Sequence, residues 1–135
     1  MRRWLIAGGL LVVAHFCKGI CDDLQFHYAD TVFADWDNDR FWNPKISWEN
    51  KYQINDQGVL TRPLKERFPG ASTVFVAVTD AWHLLQTIQY FSIRIAIVLL
   101  VSMAKPRFNT LRLVLIFLAI WIIQSCGFHL AYTIL

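Results

Sequence analysis

Apolar side chains fall into three long runs separated by polar stretches. After Arg2 and Arg3 the chain is apolar from Trp4 to Cys17. Lys18 can reach water on its long stem from near a helix end, so the span extends over residues 4–21. As an α-helix this stretch rises about 27 Å, enough to cross a thin bilayer. The second run, Ser72 to Ala104, contains no helix breaker and only two charges, Asp80 and Arg94. Its span is residues 84–104, with Ser72 to His83 as an amphipathic lead-in lying at the interface. The third run reaches from Leu111 to Leu135, with the span at 111–133. Between the last two runs, Lys105-Pro106-Arg107-Phe108-Asn109 reads as a short helix-breaking hairpin loop. The fold class is therefore an all-α membrane protein of three transmembrane helices, a single membrane domain over residues 1–135. The first run also has the outline of a signal peptide. Ala14-His15-Phe16-Cys17 puts bulky groups where a peptidase needs small ones, so a retained anchor is expected.

Residues 22–83 form the long extramembrane segment. Asp22 to Phe33 keeps helical spacing and prolongs the first helix. From Ala34 to Gly70 turn signals multiply, among them Asp37-Asn38-Asp39, Asn43-Pro44, Gln57-Gly58 and Pro69-Gly70. Aromatics are interleaved: Trp36, Phe41, Trp42, Trp48 and Tyr52. Such a segment can lie on the headgroup layer as an aromatic belt or act as a lid over a surface site. Asp35-Trp36-Asp37-Asn38-Asp39 opens like a calcium loop, but Arg40 and Ile46 stand where that loop needs Gly and Glu.

Composition sharpens the membrane reading. Hydrophobic residues make up 56% and charged ones 17%, against roughly 45–50% and about 25% in soluble domains. All ten acidic residues lie between Asp22 and Asp80. Arg2 and Arg3 flank the first span; Lys105, Arg107 and Arg112 mark the same side two crossings later. By the positive-inside rule the N-terminus is cytoplasmic and residues 22–83 are extracytoplasmic. The thirteen Lys and Arg form no stripe, so nucleic acid is not an expected partner.

Polar residues gather on helical faces. Asp23, His27 and Asp30 fall at i, i+4 and i+7. Asp80, His83, Thr87, Tyr90 and Arg94 stay within an arc of about 80°, and Ser125, His129 and Tyr132 make a third stripe. One reading is a polar seam that fixes helix packing. The sharper reading is a divalent metal, zinc or similar, held by His27, His83 and His129. Asp23, Asp30 or Asp80 would serve as fourth ligand or general base, since three protein ligands and an open position generate hydroxide at neutral pH. Arg94 needs compensation within its span, from carbonyls, from Tyr or Gln side chains, or from an anionic ligand. Arg94, Lys51 and Tyr90 are accordingly assigned to an anionic headgroup. Cys17 and Cys21 lie one turn apart, which disfavours pairing within a regular helix; the count of three leaves at least one thiol without a partner in the chain.

Several pieces carry a family likeness: Asp22-Asp23-Leu24-Gln25-Phe26-His27, Phe41-Trp42-Asn43-Pro44, Ser47-Trp48-Glu49-Asn50-Lys51-Tyr52 and Thr79-Asp80-Ala81-Trp82-His83. Over residues 18–84 the chain resembles a family of small uncharacterised bacterial inner-membrane proteins with a Phe-Trp-Asn-Pro / Ser-Trp-x-Asn-Lys-Tyr / Thr-Asp-x-Trp-His pattern. The resemblance implies a bacterial inner-membrane location, with residues 22–83 periplasmic, and makes residues 23–83 the working part; it supplies no reaction. Asp35-Trp36 also faintly resembles the amino-terminal calcium loop of ceramidase-type membrane hydrolases, which have seven spans. Two functions are expected from these readings. One is a metal-dependent hydrolase acting on membrane lipids or another surface substrate. The other is a non-catalytic accessory subunit of a larger membrane complex, or a homo-oligomer.

Overall fold

The structure is a computed structural model that describes residues 2–104 and 109–134, with side chains through Cys126. It is helical, with α1 at Arg2–His27, a short α2 at Asp39–Trp42, α3 at Ala81–Ala104 and α4 at Thr110–Ile134. Among the described residues extended pairing is limited to two isolated antiparallel bridges, Tyr52 with Glu66 and Ile54 with Leu60. The chain divides into two compact units, Met1–Ala14 with Tyr90–Leu135, and His15–Gln89.

Two of the helices, α1 and α3, are long and apolar enough to cross a membrane. Both leave large apolar side chains at the surface, including Trp4, Leu5, Val12 and Phe16 on α1 and Phe91 and Ile95 on α3. The buried stripe of α1 consists of Ala7, Ala14, Cys17, Cys21 and Leu24, mostly small residues at near-heptad spacing that let another helix approach closely. The expected third span corresponds to α4, whose described side chains form a shorter apolar stretch, Thr110–Cys126. Asn109 caps this helix, its Oδ1 accepting the Arg112 N–H at 3.0 Å. The hairpin expected at 105–109 falls largely on residues outside the described ones.

Two boundaries differ from the sequence reading. Residues Ser72 to Val78 are not a helical lead-in to α3. They form turns and a 3₁₀ segment, Val76–Val78, and the helix begins only at Ala81. Gly70 starts the turn at φ +81°, its carbonyl accepting both the Thr73 and Phe75 N–H groups. Thr73, Val74, Val76 and Val78 are β-branched and resist helix, and Asp80 caps the helix that follows. At the other boundary, α1 stops at His27 and gives way to 3₁₀ turns at Tyr28–Asp30 and Val32–Asp35. Thr31 is extended and its hydroxyl donates to the Tyr28 carbonyl at 2.8 Å, drawing that acceptor away from any continuing helix.

Residues 28–42 are held by local packing. Phe33, Trp36 and Trp42 stack or meet edge-on with ring centroids 4.9 Å apart, and Phe41 joins at 5.2 Å from Trp42. Such aromatic pairs each add about 1 kcal/mol beyond the area they bury. Asp39 anchors this cluster to the 3₁₀ turn after α1 by accepting from the Tyr28 hydroxyl at 2.8 Å. The Asp-rich loop thus has one carboxylate engaged with Tyr28, while Asp35 and Asp37 are exposed.

Candidate functional site

Asp80 stands immediately before α3, where the first turn of the helix has N–H groups without intrahelical partners. Its Oδ1 accepts the His83 backbone N–H at 2.8 Å, the N-cap bond expected of Asp at this position. The same three-residue spacing brings the His83 ring back over the cap. Nδ1 lies 2.7 Å from both Asp80 oxygens. The Lys51 ammonium approaches Oδ2 at 3.9 Å. Asp80 is only 2% exposed, so its charge has left water and must be met by these donors. With Nδ1 held by the carboxylate, Nε2 is the nitrogen left for chemistry.

Lys51 is delivered by a separate element, the 3₁₀ turn Ser47–Lys51. Asn50 fastens that turn beside the cap: its amide donates to the Thr79 carbonyl at 2.6 Å, and its Oδ1 accepts from Arg67 at 2.7 Å. Arg67 N–H in turn donates to the Lys51 carbonyl at 2.8 Å. Glu66, adjacent to Arg67, accepts the N–H groups of Gly70 at 2.8 Å and Ser72 at 3.0 Å, and the Ser72 hydroxyl. The Ser72 hydroxyl, with the Ser72 and Gly70 amides behind it, holds the Glu66 carboxyl below its ordinary range. Between the 3₁₀ turn and α3 lies an open cleft of about 260 Å³, lined by Gln25, Pro44, Ser47, Trp48, Lys51, Asp80, Trp82 and His83. Trp82 meets the His83 ring edge-on at 5.0 Å, and the Cys21 thiol of α1 points to the Trp82 carbonyl at 3.7 Å.

Of the residues predicted from sequence, Asp80, His83 and Lys51 are brought together. Asp23, His27 and Asp30 are exposed, the first two on α1 and the last in the 3₁₀ turn beyond it. His129 lies outside the residues whose side chains are described. Among the described residues no group of three or more His, Cys, Asp and Glu side chains is placed to hold a metal ion. Arg94 is 6% exposed and finds one of its anticipated partners: its Nε donates to Gln124 Oε1 at 2.7 Å, while the Tyr90 and Phe91 rings lie 5.8 Å from the guanidinium carbon. A cation–π contribution of about 1 kcal/mol per ring is reasonable there. Arg94 thus meets Gln124 and the Tyr90 and Phe91 rings within its own unit, and Lys51 pairs with a carboxylate.

Ser47, Asn50 and Trp82 also belong to the site, and the only signal for them in the sequence is that all three stand in the Ser-Trp-x-Asn-Lys-Tyr and Thr-Asp-x-Trp-His pieces. A Ser three residues before an Asn has no helical-face signature outside a regular α-helix, so a helical wheel does not reveal it. The chain matches no protein-family model, no curated protein and no solved structure, and its chemistry has to be read from its own residues.

Proposed function

We propose that this chain is an integral protein of the bacterial inner membrane, with residues 22–83 on the periplasmic side and an Asp80–His83 cleft that hydrolyses a lipid-borne or other membrane-surface substrate. The observation that carries this is the His83 imidazole bound through Nδ1 to a buried carboxylate, beside a cleft large enough for a small group. A carboxylate in that place fixes the ring and its tautomer and stabilises the imidazolium formed when Nε2 takes a proton. The membrane location is supported by two long apolar helices with outward-facing side chains. The asymmetry of charge supports the orientation: an alkaline phosphatase fused after Gln57 is expected to be active, and an inactive fusion overturns it.

The same imidazole geometry suits a divalent-metal role. Metal-bound histidines commonly donate their second nitrogen to a carboxylate, so His83 Nε2 fits a zinc ligand. Purified full-length chain in phospholipid nanodiscs, offered fluorogenic ester and phosphodiester lipids, tests the hydrolase. Turnover is expected to fall at least a hundredfold in His83→Gln and to persist in Asp80→Glu at a reduced rate. Wild-type turnover in His83→Gln removes the proposal, and chelator-resistant turnover removes its metal form.

A non-catalytic subunit remains the second reading, favoured by one specific observation. Asp80 is a helix cap, which gives the Asp–His–Lys cluster a purely structural use. A complex that survives mild detergent and is indifferent to His83→Gln supports it.

A further inference from the structure

The cleft contains a hydroxyl that the proposal above leaves unused. Ser47 is 7% exposed, lines the same cleft as His83 and Asp80, and opens the 3₁₀ turn that carries Lys51. In a 3₁₀ turn, side chains three apart eclipse one another, so Ser47 shares the face of Asn50. Asn50 is the residue whose amide is tied to the Thr79 carbonyl, next to Asp80. Two tethers, the Asn50 bond and the Lys51–Asp80 pair, therefore fix the turn that carries Ser47 beside the helix start from which His83 projects.

We infer that Ser47 is the nucleophile of this cleft, with His83 as its base and Asp80 as the residue that positions His83, and that the substrate class is an acyl ester. This rests on the reading of His83 as an acid–base group. The lining suits such a substrate: Pro44, Trp48 and Trp82 offer apolar surface for an acyl chain, and the Lys51 ammonium is the cation available to a carbonyl oxygen gaining charge. In the first half-reaction His83 Nε2 takes the Ser47 proton while Oγ bonds to the ester carbonyl carbon. The carbon–oxygen bond to the alcohol then breaks, and the imidazolium returns its proton to the departing alkoxide. In the second, water attacks the acyl-serine with His83 again as base, Ser47 Oγ leaves and is reprotonated, and a carboxylic acid is released. The sum consumes one ester and one water and yields one acid and one alcohol.

The test is an active-site probe. Full-length protein in dodecyl maltoside micelles is treated with a fluorophosphonate, which loses fluoride on attack by an activated serine, and the adduct is mapped by mass spectrometry. The expected result is phosphonylation at Ser47, abolished in Ser47→Ala and slowed at least a hundredfold in His83→Gln. Mapping on the unaltered chain does not depend on any variant folding. No adduct, an adduct at another residue, or an undiminished rate in a folded His83→Gln overturns the inference. Ester turnover that survives Ser47→Ala but is lost in His83→Gln also overturns it, while leaving His83 as base for a water; turnover lost in neither overturns both.

Discussion

The chain contains two Asp/His pairs three residues apart, and they meet opposite fates. His27 and Asp30 straddle the C-terminal end of α1, where carbonyls rather than N–H groups lack partners, and a carboxylate there faces the negative end of the helix dipole. Asp30 consequently sits in a 3₁₀ turn, and both side chains are exposed. Asp80 and His83 straddle the N-terminal end of α3. There the carboxylate finds the His83 N–H, the ring closes onto it, and Lys51 arrives from another element. Equal spacing in sequence thus gives a joined pair only where the acid precedes the histidine at a helix start.

The most drastic way to break this contrast is to remove the two carboxylates in turn. Asp80→Ala takes away a cap worth about 1 kcal/mol and leaves the largely buried Lys51 ammonium without its anion. A loss of about 3 kcal/mol is expected, read as a fall of several degrees in thermal unfolding followed by tryptophan fluorescence in nanodiscs. Asp30→Ala, on an exposed side chain, is expected to change stability by less than about 0.5 kcal/mol. Equal effects would show that burial of Asp80 has no energetic consequence. A smaller effect, about 2 kcal/mol, is expected for Asn50→Ala, which strands the Thr79 carbonyl beside the cap. The same measurement checks it, and an unchanged midpoint would mean that the Ser47–Lys51 turn is held by other contacts.

The contrast also marks how far the sequence could be read. The long apolar helices α1 and α3 were legible because uninterrupted apolar runs of such length read as helices long enough to cross a membrane. Asp80, His83 and Lys51 could be nominated from residue type alone, yet their meeting could not. Spacing says that Asp80 and His83 lie one turn apart, as it says of His27 and Asp30; only the helix start, hidden in a run of β-branched residues after Gly70, separates the cases. Lys51 and Ser47 come from a 3₁₀ turn placed by hydrogen bonds from Asn50 and Arg67, and long-range contacts of that kind leave no periodic signal. For Arg94 the sequence leaves several partners open, and the one the fold supplies, the amide oxygen of Gln124 thirty residues away, has no local pattern to announce it.

The turn after Gly70, upstream of the cap, offers subtler ways to sharpen the comparison. Gly70 lies at φ +81°, and a Cβ there would come within 3.1 Å of the Phe75 ring, so Gly70→Ala is expected to cost about 1 kcal/mol. An undisturbed midpoint would show that this turn relaxes independently of the cap.

The smallest expected effect is a pH dependence carried by Glu66, which holds the same turn. Its carboxyl is held below the ordinary value of 4.5 by the Ser72 hydroxyl and the Ser72 and Gly70 amides. A carboxylate whose folded value is depressed contributes stability above its unfolded value, and that contribution is lost as pH falls through the folded value. The 66–72 turn is therefore expected to stay closed at neutral pH and to open in acid below 4.5, with the Gly70 and Ser72 amides exchanging faster while the His83 amide, bound to Asp80, follows its own course. Glu66→Gln should remove that acid step. Hydrogen exchange measured between neutral pH and pH 3 decides it. If the Gly70 and Ser72 amides show no acid step beyond the intrinsic pH dependence of exchange, Glu66 does not hold the turn. If the His83 amide opens in step with them, the cap and the 66–72 turn are one cooperative unit rather than two, and the Asp80 cap depends on a carboxylate fourteen residues before it.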